Sequence, residues 1–273
     1  MKGHYWIIGF IVELLIVALV IFESTEGKGV GLFFVPSGVL LVVLGTIATA
    51  FIAWPPDKMI SYMKSILLVV RKPVEPSADV VAEVVRLANA TGGDLRALES
   101  SLASIRHPFL RDGVQLLLDR IDEHHLEFIL KERIKQNRQD YDSLVLLLKG
   151  LAKYPPALGM IGTLVGLVAM MRGLGSSAGA GSFGTAMAIG LVTSFYGIAL
   201  SNLLIMPMAD NISFKSAREL HHRTIIMKGI MLLKQQESIV IVQETLNSMV
   251  KFSERIDVIG LGGNTSNSKS KAA

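Results

Sequence analysis

Cysteine is absent from this chain of 273 residues, which excludes disulfides, thiolate metal sites and a cysteine nucleophile. Charge is scarce: 18% of residues are Asp, Glu, Lys or Arg, against 51% hydrophobic, with a mean hydropathy of +0.48. The histidines do not suggest a metal centre. His124 with His125, and His221 with His222, are adjacent pairs that point about 100° apart on a helix, whereas zinc ligands on helices stand three or four apart. No phosphate-cradling loop, nucleophile elbow or kinase-like residue set occurs, so no catalytic residue, cofactor or metal is expected. The net charge of +4 comes without a basic patch interleaved with aromatics, and gives no reason to expect nucleic-acid binding.

Long apolar runs are what the chain has instead. Four stretches are long enough for a hydrocarbon core that needs about 20 apolar residues: 5–22, 32–54, 144–171 and 184–208. The first follows Lys2 and has the outline of a secretory leader, yet it lacks a small-x-small cleavage site and runs straight into a second span, so it reads as retained. Lys and Arg distribution sets the orientation. Of the 27, 13 fall in 55–143 and nine from Ala209 onward, while 23–31 holds only Lys28 and 173–183 holds none. The expected fold is an all-α integral membrane protein with four transmembrane helices and both termini cytoplasmic. Its parts are a first hairpin (1–54), a helical cytoplasmic insert (55–143), a second hairpin (144–208), and a cytoplasmic tail (209–273) with a disordered end.

Within the insert, Met59, Met63, Ile66 and Val70 repeat at helical spacing and suit a helix lying on the membrane surface. Ser77 is placed to cap a helix bearing Val80, Val84 and Leu87 on one face, ending at Gly92 and Gly93. Arg96 and Glu99 follow, three apart and so neighbours on a helix surface. The last helix of the insert is expected to run unbroken into the third span, where Pro155 and Pro156 mark a kink, either a tolerated one or a moving hinge.

The third span, PALGMIGTLVGLVAMM from Pro156 to Met171, sets Gly159, Gly162, Thr163 and Gly166 on one face; the fourth repeats the theme with Gly190, Ser194, Gly197 and Ser201, Thr193 beside them and Pro207 at its exit. Small faces let helix backbones approach closely in lipid. The hydroxyls on them serve either that packing or a narrow polar path. No Asp, Glu, Lys or Arg occurs in 154–171 or 184–208, although an ion relay through a membrane needs an ionisable carrier. A partner should therefore supply the carboxylate. The one acid inside a span is Glu13, where a charge costs at least ~2.5 kcal/mol, so it is either protonated or paired.

The third-span motif, the fourth-span stretch AMAIGLVTSFYGIALSN from Ala186 to Asn202, its exit IMPMAD and the tail stretch TIIMKGIMLL from Thr224 resemble the stator A subunits of the flagellar motor, the MotA and PomA family. TolQ and ExbB proteins belong to the same superfamily. Similarity covers most of the chain, and it is nearer the sodium-type branch, which has threonine where Thr163 stands and a Thr-Thr pair where this chain has Thr193 and Ser194.

The resemblance implies a bacterial inner-membrane stator: a homopentamer around a dimer of a single-span B subunit, whose membrane aspartate binds the coupling ion and whose periplasmic domain grips peptidoglycan. Thr163, Thr193 and Ser194 would line the ion path, for Na+ or H+. Pro156 and Pro207 match the family's two functional prolines, and Glu99 matches its glutamate that pushes the rotor's C-ring protein. One ion crossing ~100 mV yields only ~2.3 kcal/mol, so work must be done in small repeated steps, which a ring of identical subunits allows. Two departures stand out. The family's basic residue eight positions before Glu99 is Thr91 here, leaving Arg96 as its replacement or, with Glu99, as an ordinary surface pair; Ser194 replaces the second threonine. The alternative is a TolQ/ExbB-like energiser of outer-membrane transport, against which the early hairpin counts. A passive scaffold, with hydroxyls that only pack, is the third reading.

Overall fold

Proline opens three helices of this protein, at the first position, where its missing N–H would have had no helical partner. In the computed structural model, which describes residues 5–24, 30–73, 75–91, 97–174 and 179–257, every extended element is helical. The order is α1 (Tyr5–Ser24), α2 (Pro36–Ala53), α3 (Pro56–Arg71), α4 (Ser77–Thr91), α5 (Ala97–Ser101), α6 (Pro108–Leu118), α7 (Glu123–Leu151), α8 (Tyr154–Leu174), α9 (Gly179–Ala199), a π-helical segment Leu200–Ile205, α10 (Met206–Lys234) and α11 (Ile239–Ser248). Three helical stretches among the described residues are long and apolar enough to cross a membrane: Pro36–Ala53, and windows within Glu123–Arg172 and Phe183–Lys234. The chain forms two compact units, Met1–Pro73 with Asp140–Lys215, and Val74–Gln139 with Ser216–Ala273.

In the first unit α8 and α9 pack along their lengths, and α2 lies against both. The buried residues of α2, Gly38, Val42, Thr46 and Ala50, step by four and so form its inner stripe. The Thr46 hydroxyl donates to its own helix at Val42 O, 2.5 Å away, which removes a donor from the apolar seam. Around the ends of these helices, Met59, Ile66 and Val70 of α3 join Leu144, Leu147, Leu148, Ile205 and Ile212 in one cluster. The surface-lying helix expected from Met59, Met63, Ile66 and Val70 is thus packed on its protein neighbours through three of the four. Met63 stands at the edge of that stripe and is 45% exposed.

Lys215 pins this arrangement. Its buried Nζ donates to Val69 O at 2.9 Å and to Val70 O and Lys72 O at 2.8 Å, capping the carbonyl end of α3. Burial, then the charge of Lys72, lowers its pKa from the usual 10.5.

The expected unbroken helix into the third span is interrupted by a turn at Ala152 and Lys153, where Lys153 N–H bonds Gly150 O at 3.3 Å. Pro155 and Pro156 consequently fall in the first turn of α8, where backbone N–H groups have no intrahelical acceptor. They start a helix rather than kink one.

The second unit has a conventional aliphatic core. Val80, Val81, Val84 and Val85 of α4 meet Leu110 and Val114 of α6, Leu126 and Leu130 of α7, Ile225, Ile226 and Ile230 of α10, and Val242 and Leu246 of α11. Ser77, expected as a cap, pairs its hydroxyl with His222 Nε2 at 3.3 Å. Burial lowers the His222 pKa, an effect that Glu219 opposes and that His107, His221 and Arg218 reinforce.

Candidate functional site

Backbone approach between α8 and α9 creates the site. A β-carbon on Gly159 would sit 3.0 Å from Ser194 Cα, one on Gly166 2.8 Å from Ala186 O, and one on Gly190 3.2 Å from Thr163 Cα. Gly197 faces the Pro155 carbonyl and the Pro156 Cα, so α9 touches the start of α8 where the prolines set its direction. At this separation side-chain hydroxyls reach the backbone carbonyls of the opposite helix. The large residues Met160, Ile161, Leu164, Val165 and Val168 all point outward and are exposed.

Thr163 and Ser194 meet in the seam with their hydroxyls hydrogen-bonded to each other. Thr163 Oγ1 also lies 3.2 Å from Gly159 O and from Gly190 O, and Ser194 Oγ is 3.0 Å from Gly159 O. Each hydroxyl has one proton to donate and two lone pairs. Four oxygens thus share two hydroxyl protons, leaving a surplus of lone pairs in a half-buried place. Such a cluster can coordinate a hard cation or orient water. It carries no formal charge, because α8 and α9 contain no Asp or Glu.

Thr193 is placed differently. It is 1% exposed, its hydroxyl donates to Ile189 O at 2.7 Å, and its methyl faces Gly162. On the α2 side, a β-carbon on Gly38 would come 2.5 Å from its Oγ1. Thr193 therefore packs α2 against α8 and α9, while Thr163 and Ser194 form the oxygen cluster.

Among the other candidates, Pro207 is the second residue of α10, directly after the π segment, within which Met206 N–H bonds Ser201 O. A π turn shifts the hydrogen-bond ladder by one residue, and such segments recur at functional sites. Glu99 lies exposed on the short helix α5. Arg96 falls outside the described residues, so the pairing suggested for it has no geometry to report. Glu13 is half-buried on α1 and lines a cavity.

Two contacts were not singled out from the sequence. Ser201 Oγ donates to Ala152 O at 2.6 Å, tying the π segment to the turn before α8. The Tyr196 hydroxyl donates to Phe33 O and accepts from Val35 N–H at 3.2 Å, fixing the entry to α2. The stripe spacing that marks Ser194 and Gly197 also marks Ser201, whereas nothing local marks Tyr196.

Residues 101–225 match the MotA/TolQ/ExbB proton channel family. The chain is 28% identical over 239 residues to the chemotaxis protein PomA of Vibrio alginolyticus, covering 87% of this chain and 92% of that protein. To motility protein A of Cereibacter sphaeroides it is 29% identical over 231 residues, 84% and 89% of the two. Its fold matches MotAB of C. jejuni with a TM-score of 0.82 at 16% identity, covering 93% of this chain and 99% of that one. The flagellar MotAB stator complex of Bacillus subtilis gives 0.78 at 20% identity, covering 89% and 96%. Residues 101–225 of this membrane protein are therefore similar to the MotA/TolQ/ExbB proton channel family, and the α8–α9 seam lies inside that matched stretch.

Proposed function

We propose that this chain is the A subunit of an ion-driven flagellar motor stator in the bacterial inner membrane. Four spans cross the membrane, α1 adding to the three long apolar stretches, with both termini and the segment between the hairpins in the cytoplasm. Five copies surround a dimer of a single-span B subunit that carries a membrane aspartate and a peptidoglycan-binding domain. The observation that carries this reading is the Thr163–Ser194 oxygen cluster in a seam with no carboxylate of its own. Oxygens can replace part of an ion's hydration shell, but a charge entering a low-dielectric site needs a counter-charge. The partner's aspartate supplies it.

In this mechanism Thr163 and Ser194 face the travelling ion, Thr193 fixes the seam against α2, and Pro156 and Pro207 set the directions of α8 and α10. Sodium is the proposed coupling ion, since hydroxyl and carbonyl oxygens suit a hard alkali cation. Glu99 on α5 pushes the rotor, with Arg96 as its charged neighbour. The names and coverage of the relatives support the assignment.

The test is swimming of cells that have lost their own stator genes, complemented with this chain and a single-span B subunit from the same organism. Motility should depend on sodium. Thr163→Val removes one hydroxyl from the cluster, a loss of about 1–3 kcal/mol in a desolvated site, and should cut sodium-driven swimming about ten-fold or more at unchanged protein level. Full swimming by Thr163→Val in sodium-limited medium would overturn the role of the cluster.

A further inference from the structure

The first unit contains a second polar feature, away from the glycine seam. Glu13 opens on a cavity of about 650 Å³ walled by Phe10 and Ile16 of α1, Leu203 and Pro207, and Asn211 of α10. Asn211, one of the lining residues, has a buried Oδ1 atom without a hydrogen-bond partner among the described residues. No Lys, Arg or His is among the described residues that line the cavity. The polar side of the space is thus the Glu13 carboxylate and the Asn211 amide, and the rest is almost entirely apolar.

Those walls define an occupant. A bare ion is far too small: a water molecule takes about 30 Å³, and the cavity has instead the size of small-molecule sites, about 300–1,000 Å³. A single carboxylate balances one positive charge, and an amide oxygen left without a donor favours a head that brings N–H groups. We propose that this cavity binds an amphiphile with a cationic, hydrogen-bond-donating head, an ammonium or guanidinium, that pairs with Glu13 and donates to Asn211 Oδ1 while its alkyl body lies along Phe10, Ile16 and Leu203. The head can belong to an aminolipid such as phosphatidylethanolamine or to a free alkylamine.

The experiment uses the full chain, co-purified with its B subunit, in nanodiscs of phosphatidylcholine, whose quaternary head has no N–H to offer. Dodecylamine is titrated in and followed by native mass spectrometry. Saturable binding is expected, weakened about ten-fold or more by Glu13→Gln, as loss of one charge-assisted contact predicts. Asn211→Asp, which adds a second carboxylate, should tighten binding, a gain that misfolding cannot mimic. In discs made with phosphatidylethanolamine, a retained lipid that blocks dodecylamine identifies the lipid as the occupant; undiminished dodecylamine binding identifies a free amphiphile. Equal binding by wild type and Glu13→Gln, equal competition by dodecanol, or displacement of dodecylamine by sodium chloride but not by choline chloride at equal ionic strength would each overturn the proposal.

Discussion

The α8–α9 seam and the core of the second unit pack in opposite senses. In the seam small residues lie inside and the large ones face outward, with Leu164 61% and Val168 62% exposed; in the second unit Val84, Leu110 and Leu130 are fully buried. Each order suits its solvent. Water drives large apolar side chains inward at about 25 cal/mol per Å², whereas lipid offers no such drive, and helices associate in it by close packing and hydrogen bonds. The seam thereby gains backbone carbonyls within reach of hydroxyls, which a leucine-filled interface would bury beyond reach.

Glycine substitutions should break this comparison most sharply. A β-carbon at Gly197 would collide with the Pro155 carbonyl and the Pro156 backbone, which cannot swing away. Gly197→Ala should therefore open the seam and abolish ion-driven swimming. In the second unit the β-carbon of Gly113 would meet the tip of the Ile230 side chain, which can change rotamer, so Gly113→Ala should cost only about 1–3 kcal/mol and leave motility intact. Limited proteolysis and a swimming assay on the two variants check this.

Leucine truncations come next. Leu110→Ala in the second unit should cost about 2–5 kcal/mol, because it leaves a cavity among residues that can only partly collapse. Leu164→Ala on α8 should change the thermal stability of the isolated chain by less than about 0.5 kcal/mol. Any larger loss that appears only in the assembled complex would show that another subunit covers Leu164.

The same contrast explains which features were readable in advance. Helical character and the apolar runs are properties of composition and period, and the small faces of Gly159, Gly162, Gly166, Gly190 and Gly197 follow from a period of 3.6. Periodicity gives the face on which a residue lies, but not which neighbour that face meets. Hence Thr193 and Ser194, which the resemblance assigns together to the ion path, part company: one hydroxyl returns to its own helix beside α2 and the other joins Thr163. The π segment has no sequence signal in its leucine-rich run, whereas the turn at Ala152 has one in Pro155 and Pro156, which offer no N–H to the carbonyls of Leu151 and Ala152, the latter taking the Ser201 hydroxyl instead. Helix ends at Arg120 and Gln236, with φ of 57° and 54°, use the left-handed conformation without the glycine that normally announces it.

The smallest effect concerns pH, and it separates the two regions by chemistry. Neither α8 nor α9 contains Asp, Glu or His, so the seam itself has nothing to titrate between pH 5 and 8. The second unit holds His222 at 4% exposure, against Ser77 and near Glu219, His107, His221 and Arg218. Burial depresses its pKa below the usual 6.5. The unfolded chain then binds this proton more readily than the folded one, so the stabilisation is complete above pH 6.5 and is lost as pH falls through the lowered value. The loss can reach at most about 1.4 kcal/mol per pH unit for one proton. Denaturant titrations at neutral pH and at about pH 5.5 should show the second unit weakening on acidification and His222→Gln flattening that dependence. An unchanged slope in His222→Gln would show that this histidine is not the titrating group.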